Sequence, residues 1–397
     1  MSEERLGEVT RHLMECYIEP GKVAGVLPLV FRRGSVAYFQ PLGQMDMARQ
    51  KPMAEDTLFR IYSMSKPVTS VALMMLYEEG RFQLQDRVSR FIPEWKDLEV
   101  YVSGIAPNFI TRPVDREMRI KDLFTHMSGL TYGFQNRTNV DHAYRRMHIG
   151  GGENGATLRT MIEQLADVPL EFSPGTRWNY SVSTDVLGYL IEVISGQRFD
   201  EFLKERVFDP LGMEDTGFVV PPEKVSRFAS NYARNPDKSL RVEDDAQESA
   251  YLEERAFLSG GGGLVSTAED YLKFCKMLLN GGELDGRRIL GRKTIELMTE
   301  NHLPNDDDLT QWTAGEYTET GNEGYGFGLG FSVCLGPARC HTIGSRGEYA
   351  WGGAASTTFW IDPVEDLIVI FMTQFMPSGT FNFRGQLKTL IYPAIVD

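Results

Sequence analysis

Several motifs that would mark a particular class of protein are missing from this sequence. Its four cysteines form no C-x-x-C pair and its six histidines form no H-E-x-x-H motif, so a zinc ribbon, a redox dithiol and a zinc protease lack support. No G-x-S-x-G motif occurs, which removes the nucleophile elbow of the α/β-hydrolases. Cys334 and Cys340 could be bridged, although free thiols are favoured in a chain this large. We expect no metal and no other cofactor.

Long apolar runs and an excess of positive charge are missing too. No run of eighteen apolar residues occurs, and a membrane-spanning helix needs such a run. Lysine and arginine number 41 against 55 aspartates and glutamates, a formal charge of −14, which repels phosphate backbones and anionic lipids. The N-terminus (MSEERLGE) is charged and holds no apolar signal core. We expect a cytoplasmic protein that binds neither nucleic acid nor membranes; its oligomeric state is left open.

Hydrophobic residues make up 42% of the sequence, enough for a large core, and their spacing predicts where the elements lie. Near both ends of the chain, helical and alternating spacings predict helices and hairpins. The predicted helices there are 4–18, 64–79 and 384–395, and the predicted hairpins join 26–31 to 35–40 and 357–361 to 367–373. Both chain ends are therefore expected to contribute to one sheet.

The middle of the chain has a different character. Between about residues 85 and 260, proline, glycine and charged residues interrupt short helical stretches, of which 184–195 is clear and 199–207 weaker. Alternating strands are scarce there. We expect an α/β body made of residues 1–84 and 261–397, with residues 85–260 inserted as a mostly helical lobe, the whole forming one domain.

The most informative short pattern is Ser63-Met64-Ser65-Lys66, at the start of the predicted helix 64–79. Residues three apart on a helix share a face, so the Ser63 hydroxyl and the Lys66 amine can meet. A serine hydroxyl needs an adjacent base to become a good nucleophile. Backbone N–H groups at a helix start also favour developing negative charge. The pattern is short, and a solvated serine–lysine pair would produce it as well.

Its surroundings carry a resemblance to a known family. Residues 59–67 (FRIYSMSKP) resemble the nucleophile motif of the serine β-lactamase and penicillin-binding-protein superfamily, above all class C β-lactamases and the related family VIII carboxylesterases. Further matching segments follow in the family's order: 122–130 (DLFTHMSGL), 172–176 (FSPGT) with 180–182 (YSV), 260–267 (GGGGLVST) and 351–354 (WGGA). The resemblance spans about residues 20 to 375. It implies an α/β (α+β) fold of the β-lactamase/transpeptidase type, with an antiparallel sheet flanked by helices plus the helical lobe.

The resemblance also implies a role for each matched residue. Ser63 would attack the acyl carbonyl, and Lys66 would help to take its proton. Tyr180 would complete the proton relay and protonate the leaving alkoxide. The backbone N–H groups of Ser63 and Ala354 would form the oxyanion hole.

Two departures from the lactamase pattern point to esters. Trp351 stands where lactamases place a lysine, with Gly352 in place of threonine or serine, so a substrate carboxylate loses a charge-assisted partner worth about 1.5–3 kcal/mol. Val182 stands where class C lactamases have an asparagine. We expect Trp351, Gly352 and Gly353, together with Tyr132, to bind substrate.

The expected function is therefore that of a serine carboxylesterase that hydrolyses short-chain, small-molecule esters through an acyl-enzyme on Ser63. Three alternatives stay open: an acyltransferase with the same acyl-enzyme, a β-lactamase or D-peptidase, and a non-catalytic binding protein on this fold. A different nucleophile arrangement, a Ser-His-Asp triad built on His126 with Asp122 or Asp141, has less support because the family match treats the His126 segment as structural.

Overall fold

The computed structural model describes residues 1–151, 155–315 and 321–397 of the chain. The strands formed by these residues range from two residues to eight. They are β1 (Gly25–Arg32), β2 (Ser35–Phe39), β3 (Leu42–Asp46), β4 (Lys51–Pro52), β5 (Phe59–Arg60), β6 (Glu99–Ile105), β7 (Asn108–Pro113), β8 (Asn231–Arg234), β9 (Leu240–Asp244), β10 (Val265–Ser266), β11 (Glu283–Leu284), β12 (Arg287–Arg288), β13 (Tyr325–Phe327), β14 (Ser332–Cys334), β15 (Tyr349–Gly352), β16 (Thr358–Asp362), β17 (Leu367–Thr373) and β18 (Phe375–Met376).

The helices of the described residues surround these strands. They are α1 (Glu3–Leu13), α2 (Ser65–Glu78), α3 (Ile120–Phe124), α4 (Asn139–Arg146), α5 (Leu158–Ala166), α6 (Ser183–Ser195), α7 (Phe199–Leu203), α8 (Asp209–Leu211), α9 (Ala268–Leu279), α10 (Arg292–Thr299), α11 (Leu309–Trp312), α12 (Pro337–Cys340) and α13 (Phe383–Ile391). Within the described ranges, every helix is too short or too polar to cross a bilayer.

The main sheet joins the two ends of the chain. Its order is β13–β14–β15–β16–β17–β1–β3–β4, with β2 paired to β1 as a branch. The central pair is antiparallel, and it runs from Val26 opposite Thr373 to Arg32 opposite Leu367. The two predicted hairpins are confirmed as β1–β2 and β16–β17. The antiparallel sheet flanked by helices agrees with the predicted fold class.

Both faces of this sheet are covered, which explains the continuous apolar sequence of β17. Successive side chains of a strand point to opposite faces. Ile368, Ile370 and Met372 join the large core that includes α2 and α9, whereas Val369 and Phe371 pack in a second core with α1 and α13. A strand covered on both faces has no polar side to alternate with, so it is apolar throughout.

The predicted helices near the ends are confirmed, with shorter bounds. α1 ends at Leu13 and continues as a π-helical turn, Met14–Ile18. α13 ends at Ile391, and a 3-10 turn (Tyr392–Ala394) contains the proline that stops it. Proline lacks the N–H that the next helical hydrogen bond needs.

Residues 85–260 contain α3 to α8 and two hairpins that the sequence interpretation did not anticipate, β6–β7 and β8–β9. β6–β7 was missed because its alternation is broken by a bulge between Tyr101 and Ser103. Its apolar side chains also do not mark a buried face, since Ile105 and Ile110 are each 62% exposed. The boundaries 1–84, 85–260 and 261–397 stay a prediction.

All four cysteines are free thiols, the state favoured from the sequence. Cys275 and Cys334 are buried, whereas Cys16 and Cys340 are half-buried. Cys334 and Cys340 are nevertheless neighbours, with their Sγ atoms 3.1 Å apart.

Candidate active site

The predicted nucleophile lies on a tight turn between a short strand and a helix. β5 pairs with β10, so the chain enters the turn from a fixed position. A 3-10 turn (Tyr62–Met64) follows, and α2 begins at Ser65. Tyr62 has a φ of 41°, in the left-handed region that residues with a Cβ rarely adopt. Such strain is typical of functional sites that the surrounding structure holds in place.

Two of the three predicted catalytic side chains converge on the hydroxyl oxygen of the third, Ser63. The Tyr180 hydroxyl donates a hydrogen bond of 2.6 Å to Ser63 Oγ. Lys66 Nζ donates a second, at 3.3 Å, and also donates to the Gly261 carbonyl oxygen at 2.7 Å. Ser63 is 9% exposed, while Lys66 and Tyr180 are almost completely buried. The arrangement places a nucleophile and two proton-transferring groups within direct reach of one another.

Tyr180 is held by aromatic neighbours on several sides. Its ring centroid lies 5.1 Å from that of His126, 5.2 Å from that of Tyr132 and 5.6 Å from that of Trp351. Lys66 Nζ is 4.5 Å from the centroid of the Tyr180 ring. An ammonium so close to a phenol stabilises the negative charge that the phenol gains when it gives up its proton.

The predicted oxyanion-hole residues occupy two turns that touch. Gly353 packs on the nucleophile turn so closely that a Cβ there would lie 2.5 Å from the Ile61 carbonyl oxygen. Ala354 follows in a turn that the Ser356 N–H closes onto the Gly353 carbonyl. Within the described part of the chain, neither the Ser63 nor the Ala354 N–H donates a hydrogen bond. Both are available to an acceptor.

Trp351 lies on the face of β15 that is directed at this cluster. Its side chain is fully buried, and its ring centroid is 5.3 Å from that of Phe327 and 5.6 Å from that of Tyr180. Its indole Nε1 has no hydrogen-bond partner among the described residues. Gly352 is the last residue of the same strand, opposite Thr358. An aromatic wall therefore stands at the position where the resemblance implies a lysine in the lactamases.

Tyr132 forms a second wall. Its ring lies 5.3 Å from Lys66 Nζ and stacks on the ring of Phe134, with 4.7 Å between centroids. Phe134 is 50% exposed, so this wall extends from the buried cluster to the surface. The predicted substrate-binding residues Tyr132, Trp351, Gly352 and Gly353 are thus gathered around Ser63.

The described residues do not assemble a Ser-His-Asp triad. His126 Nδ1 is hydrogen-bonded to Ser181 Oγ at 3.2 Å. Asp122 receives both guanidinium contacts of Arg116, at 2.6 and 2.8 Å. Burial holds the pKa of His126 well below its usual value, and the charge of Lys66 lowers it further. The imidazole is therefore neutral at neutral pH.

Two residues of the site, Asp185 and Ser259, were not singled out from the sequence, and Gly261 was matched only as part of the segment 260–267, without a role. Asp185 lies in the first turn of α6 and accepts hydrogen bonds from Ser259 Oγ (2.5 Å) and from the Gly261 N–H (3.0 Å). Burial raises the pKa of Asp185, and the nearby Lys66 opposes that increase. The available signal was a carboxylate in the first turn of a helix that is mostly apolar beyond it. Across the described ranges, no three His, Cys, Asp or Glu side chains converge on a point suited to a metal ion.

Comparisons with known proteins place the chain among relatives of one family. A family model described as Beta-lactamase matches residues 10–391. An uncharacterized protein of Mycobacterium tuberculosis (strain CDC 1551 / Oshkosh) is 35% identical over 363 residues, which cover 91% of this chain and 88% of that protein. Esterase EstB of Burkholderia gladioli is 30% identical over 376 residues, 90% of this chain and 88% of EstB. The solved structure of EstCE1, described as a hydrolase with promiscuous acyltransferase activity, is similar with a TM-score of 0.81 at 27% identity, covering 98% of both chains.

Proposed function

The chain belongs to the beta-lactamase family, as a serine hydrolase or acyltransferase that forms an acyl-enzyme, and on that premise we propose that it is a carboxylesterase for short-chain esters of uncharged acids, with Ser63 as the nucleophile. The observation that carries the proposal is the convergence of the Tyr180 hydroxyl and Lys66 Nζ on Ser63 Oγ. The substrate is a small molecule, and the chemistry uses side chains and backbone N–H groups alone.

In the acylation step, Ser63 Oγ forms a bond to the carbonyl carbon while its proton passes to the Lys66 and Tyr180 pair. The carbonyl oxygen becomes an oxyanion, and the N–H groups of Ser63 and Ala354 donate to it. The carbon–oxygen bond to the alcohol then breaks, and the leaving alkoxide takes a proton from Tyr180. In deacylation, water gives a proton to the same pair as its oxygen bonds to the acyl carbon. The bond between that carbon and Ser63 Oγ then breaks, the carboxylic acid leaves, and Ser63 Oγ takes the proton back from the pair.

The preference for uncharged acyl groups rests on Trp351. Its buried ring stands beside Tyr180 and offers no cation to a substrate carboxylate. Moving a carboxylate out of water without such a partner is unfavourable. Val182, which is fully buried, offers no amide to the side chain of a lactam or peptide either.

Acyl transfer is a second candidate. It is favoured by EstCE1, whose description names promiscuous acyltransferase activity and whose fold covers nearly all of this chain. The two outcomes share the acyl-enzyme and differ only in whether water or an alcohol attacks it. Adding a primary alcohol to the assay separates them, since transfer yields a new ester in place of the free acid.

The experiment that tests the proposal measures turnover of p-nitrophenyl butyrate and of nitrocefin by the wild type and by Ser63→Ala. We expect rapid ester turnover that is lost in Ser63→Ala, with nitrocefin turned over slowly. Ser70→Ala is the matched control, because Ser70 is also a buried serine but lies further along, on the α2 helix and outside the cluster. Ester turnover that survives in Ser63→Ala excludes Ser63 as the nucleophile, and faster nitrocefin turnover excludes the preference for esters.

A further inference from the structure

A buried carboxylate lies next to the cluster and has no part in the steps above. Asp185 is 2% exposed and stands in the first turn of α6, the helix that follows Tyr180. An isolated buried carboxylate is costly unless it is paired or well hydrogen-bonded. Asp185 Oδ1 accepts two hydrogen bonds, from Ser259 Oγ at 2.5 Å and from the Gly261 N–H at 3.0 Å.

Gly261 links this carboxylate to the predicted base. The Gly261 N–H is held by Asp185, and its carbonyl oxygen accepts the 2.7 Å hydrogen bond from Lys66 Nζ. Gly260, the preceding residue, is held by a hydrogen bond as well, since Thr69 Oγ1 donates to its carbonyl oxygen at 2.8 Å. The loop is therefore fixed on both sides, and its position determines where Lys66 Nζ points.

We propose that Asp185 is a positioning residue for Lys66: through Gly261 it aims the amine at Ser63, and through its negative charge it sets the pH at which the amine gives up its proton. The inference rests on the proposed function, because it assigns Lys66 the part of a base. The hydrogen bonds of Asp185 go to Ser259 and Gly261, so that Asp185 acts on Lys66 through the loop.

The charges around Lys66 determine the direction in which Asp185 affects its protonation. The titratable groups that face Lys66 include Asp185, His126, Tyr132 and Tyr180. His126 is neutral because its pKa is well below the usual value, and unperturbed phenols are neutral at neutral pH. A nearby anion favours the charged form of an amine. Removing the charge of Asp185 therefore makes the protonated form of Lys66 less favourable. The amine then loses its proton, and becomes able to act as a base, at a lower pH.

The test compares wild type, Asp185→Asn and Asp270→Asn. Asp270 is the matched control, since it is also a buried carboxylate, but its partners are Asp215, Thr216 and Lys273. Two rates are followed against pH: hydrolysis of p-nitrophenyl butyrate, and labelling of Ser63 by a fluorophosphonate, read by mass. In that labelling the Ser63 oxygen–phosphorus bond forms, fluoride leaves, and the hydroxyl proton passes to the base.

For Asp185→Asn we expect kcat to fall about 10-fold or more with KM nearly unchanged. The reason is that the Lys66 amine is no longer oriented toward Ser63, whereas the groups that bind the substrate are unaffected. We also expect the acidic limb of both pH profiles to move down by about one pH unit. Asp270→Asn should keep the wild-type profile. Profiles of Asp185→Asn that superimpose on those of wild type would overturn the inference.

A second variant keeps the inference testable if Asp185→Asn does not fold. Ser259→Ala removes one of the two bonds that hold Asp185 but leaves the charge in place. It should lower kcat without moving the acidic limb, and an unchanged kcat counts against the inference. Because fluorophosphonate labelling needs no ester, a wild type that labels at Ser63 but does not hydrolyse esters contradicts the proposed function alone.

A separate observation supports a modification site at two thiols. Cys334 ends β14 and Cys340 ends α12, and their Sγ atoms are 3.1 Å apart. Cys340 lines a surface cavity of about 620 Å³, so small molecules reach it. A hydrogen bond from the Cys334 thiol lowers the pKa of Cys340 to about 7, which gives Cys340 the thiolate that exchange requires.

We infer that Cys334 and Cys340 are converted to an intramolecular disulfide by exchange with a low-molecular-weight disulfide. The Cys340 thiolate attacks the small disulfide and releases one thiol. The Cys334 thiol, losing its proton, then attacks the Cys340 sulfur and releases the second, so two protein thiols are oxidised as one disulfide is reduced. The protein sulfurs have to approach from 3.1 Å to bonding distance, about 2.05 Å.

The test incubates the protein with oxidised glutathione and follows its mass. We expect the loss of two hydrogens, reversed by dithiothreitol, with Cys334 and Cys340 protected from alkylation. Cys340→Ser should abolish the change, whereas Cys16→Ser should not, since Cys16 is a half-buried thiol near His12. A lasting glutathione adduct on Cys340, or no change in mass, contradicts the inference.

Discussion

At the scale of single residues, the side chain at position 351 distinguishes this site from one built for a carboxylate. Trp351 is fully buried, with Tyr180 and Phe327 against it. Its Nε1 has no hydrogen-bond partner among the described residues. The indole therefore contributes shape and apolar surface to the site, and it offers a substrate carboxylate no positive charge. A cation here would supply a charge-assisted hydrogen bond of about 1.5–3 kcal/mol to a substrate carboxylate.

This difference predicts a ratio between two substrates of similar size. We expect p-nitrophenyl butyrate to have a kcat/KM about 10- to 150-fold above that of mono-p-nitrophenyl succinate, the range that corresponds to about 1.5–3 kcal/mol. Steady-state kinetics on both esters, with spontaneous hydrolysis subtracted, measures the ratio. Trp351→Lys is the complementary variant and should narrow the gap. Equal kcat/KM values on the wild type would contradict the interpretation of Trp351.

His126 predicts a pH dependence of stability. Burial, with Lys66 acting in the same direction, holds the pKa of His126 well below the usual value, whereas the unfolded chain protonates the ring near pH 6.5. Below about pH 6.5 the unfolded state therefore binds more protons, and the free energy of unfolding falls as pH drops, by at most about 1.4 kcal/mol per pH unit from this group. Urea unfolding near neutral pH and about two units lower measures the decrease.

His126→Asn should show a smaller decrease than the wild type, because asparagine does not titrate. An amide can still reach Ser181 Oγ, the present partner of His126, so the variant keeps a polar contact. We expect it to retain ester activity far above that of Ser63→Ala. A loss as complete as that of Ser63→Ala would return His126 to consideration as a general base.

At the scale of elements, the site depends on strand β5, the strained turn Tyr62–Met64 and helix α2, which follow one another in the chain. The glycine-rich loop 260–263 packs against them. Neighbouring glycines of that loop have different surroundings. A Cβ on Gly261 would lie 2.8 Å from both Asp185 Oδ2 and the Tyr132 hydroxyl, whereas a Cβ on Gly262 would meet nothing closer than 3.7 Å. Only at Gly261 would the added Cβ be so close that the neighbouring atoms would have to move.

The two glycines therefore form a matched pair of variants. Gly261→Ala should push the loop away from Asp185 and carry the carbonyl oxygen off Lys66, lowering kcat/KM by about 10-fold or more. Gly262→Ala should stay within about twofold of wild type, since the added methyl has room. The measurement is kcat/KM for p-nitrophenyl butyrate in both variants and in the wild type. Equal losses in the two would show that the loop tolerates no side chain at all, which the packing does not predict.

At the scale of the whole molecule, the central sheet ties the first and last parts of the chain together. β17 is paired with β1 along its full length, and each face of the sheet has its own core. The strand bearing Trp351 and the turn bearing Ala354 are positioned by this same sheet. We therefore expect stability and activity to be lost together when the sheet is weakened. The cytoplasmic location expected from the sequence stays a prediction.

Ile370→Ala tests this coupling. Ile370 is fully buried in β17 opposite Leu29, so the truncation should lower the free energy of unfolding by about 2–5 kcal/mol. Loss of ester activity and loss of circular dichroism in urea should coincide in both wild type and variant. The control is Val364→Ala in the β16–β17 turn, where the side chain is 70% exposed, with an expected change within about 0.5 kcal/mol. Transitions that separate would contradict a single cooperative unit.

The sequence by itself determined the features that depend on near neighbours. Helical spacing placed Ser63 and Lys66 on one face, and alternation with turn residues predicted both hairpins of the main sheet. These patterns are local, because the periods of helix and strand are set by backbone geometry. The five ordered motifs added the fold class and named Tyr180 and Trp351, but no distance from either residue to Ser63.

Only the tertiary structure decided how distant segments meet. Tyr180 reaches Ser63 across 117 residues of chain, and Asp185 reaches Gly261 across 76. The exposed hairpin β6–β7 escaped prediction because its side chains are not sorted by burial. Contacts of this kind depend on the packing of whole elements against a shared core, and the order of residues in any one segment carries too little information to specify them.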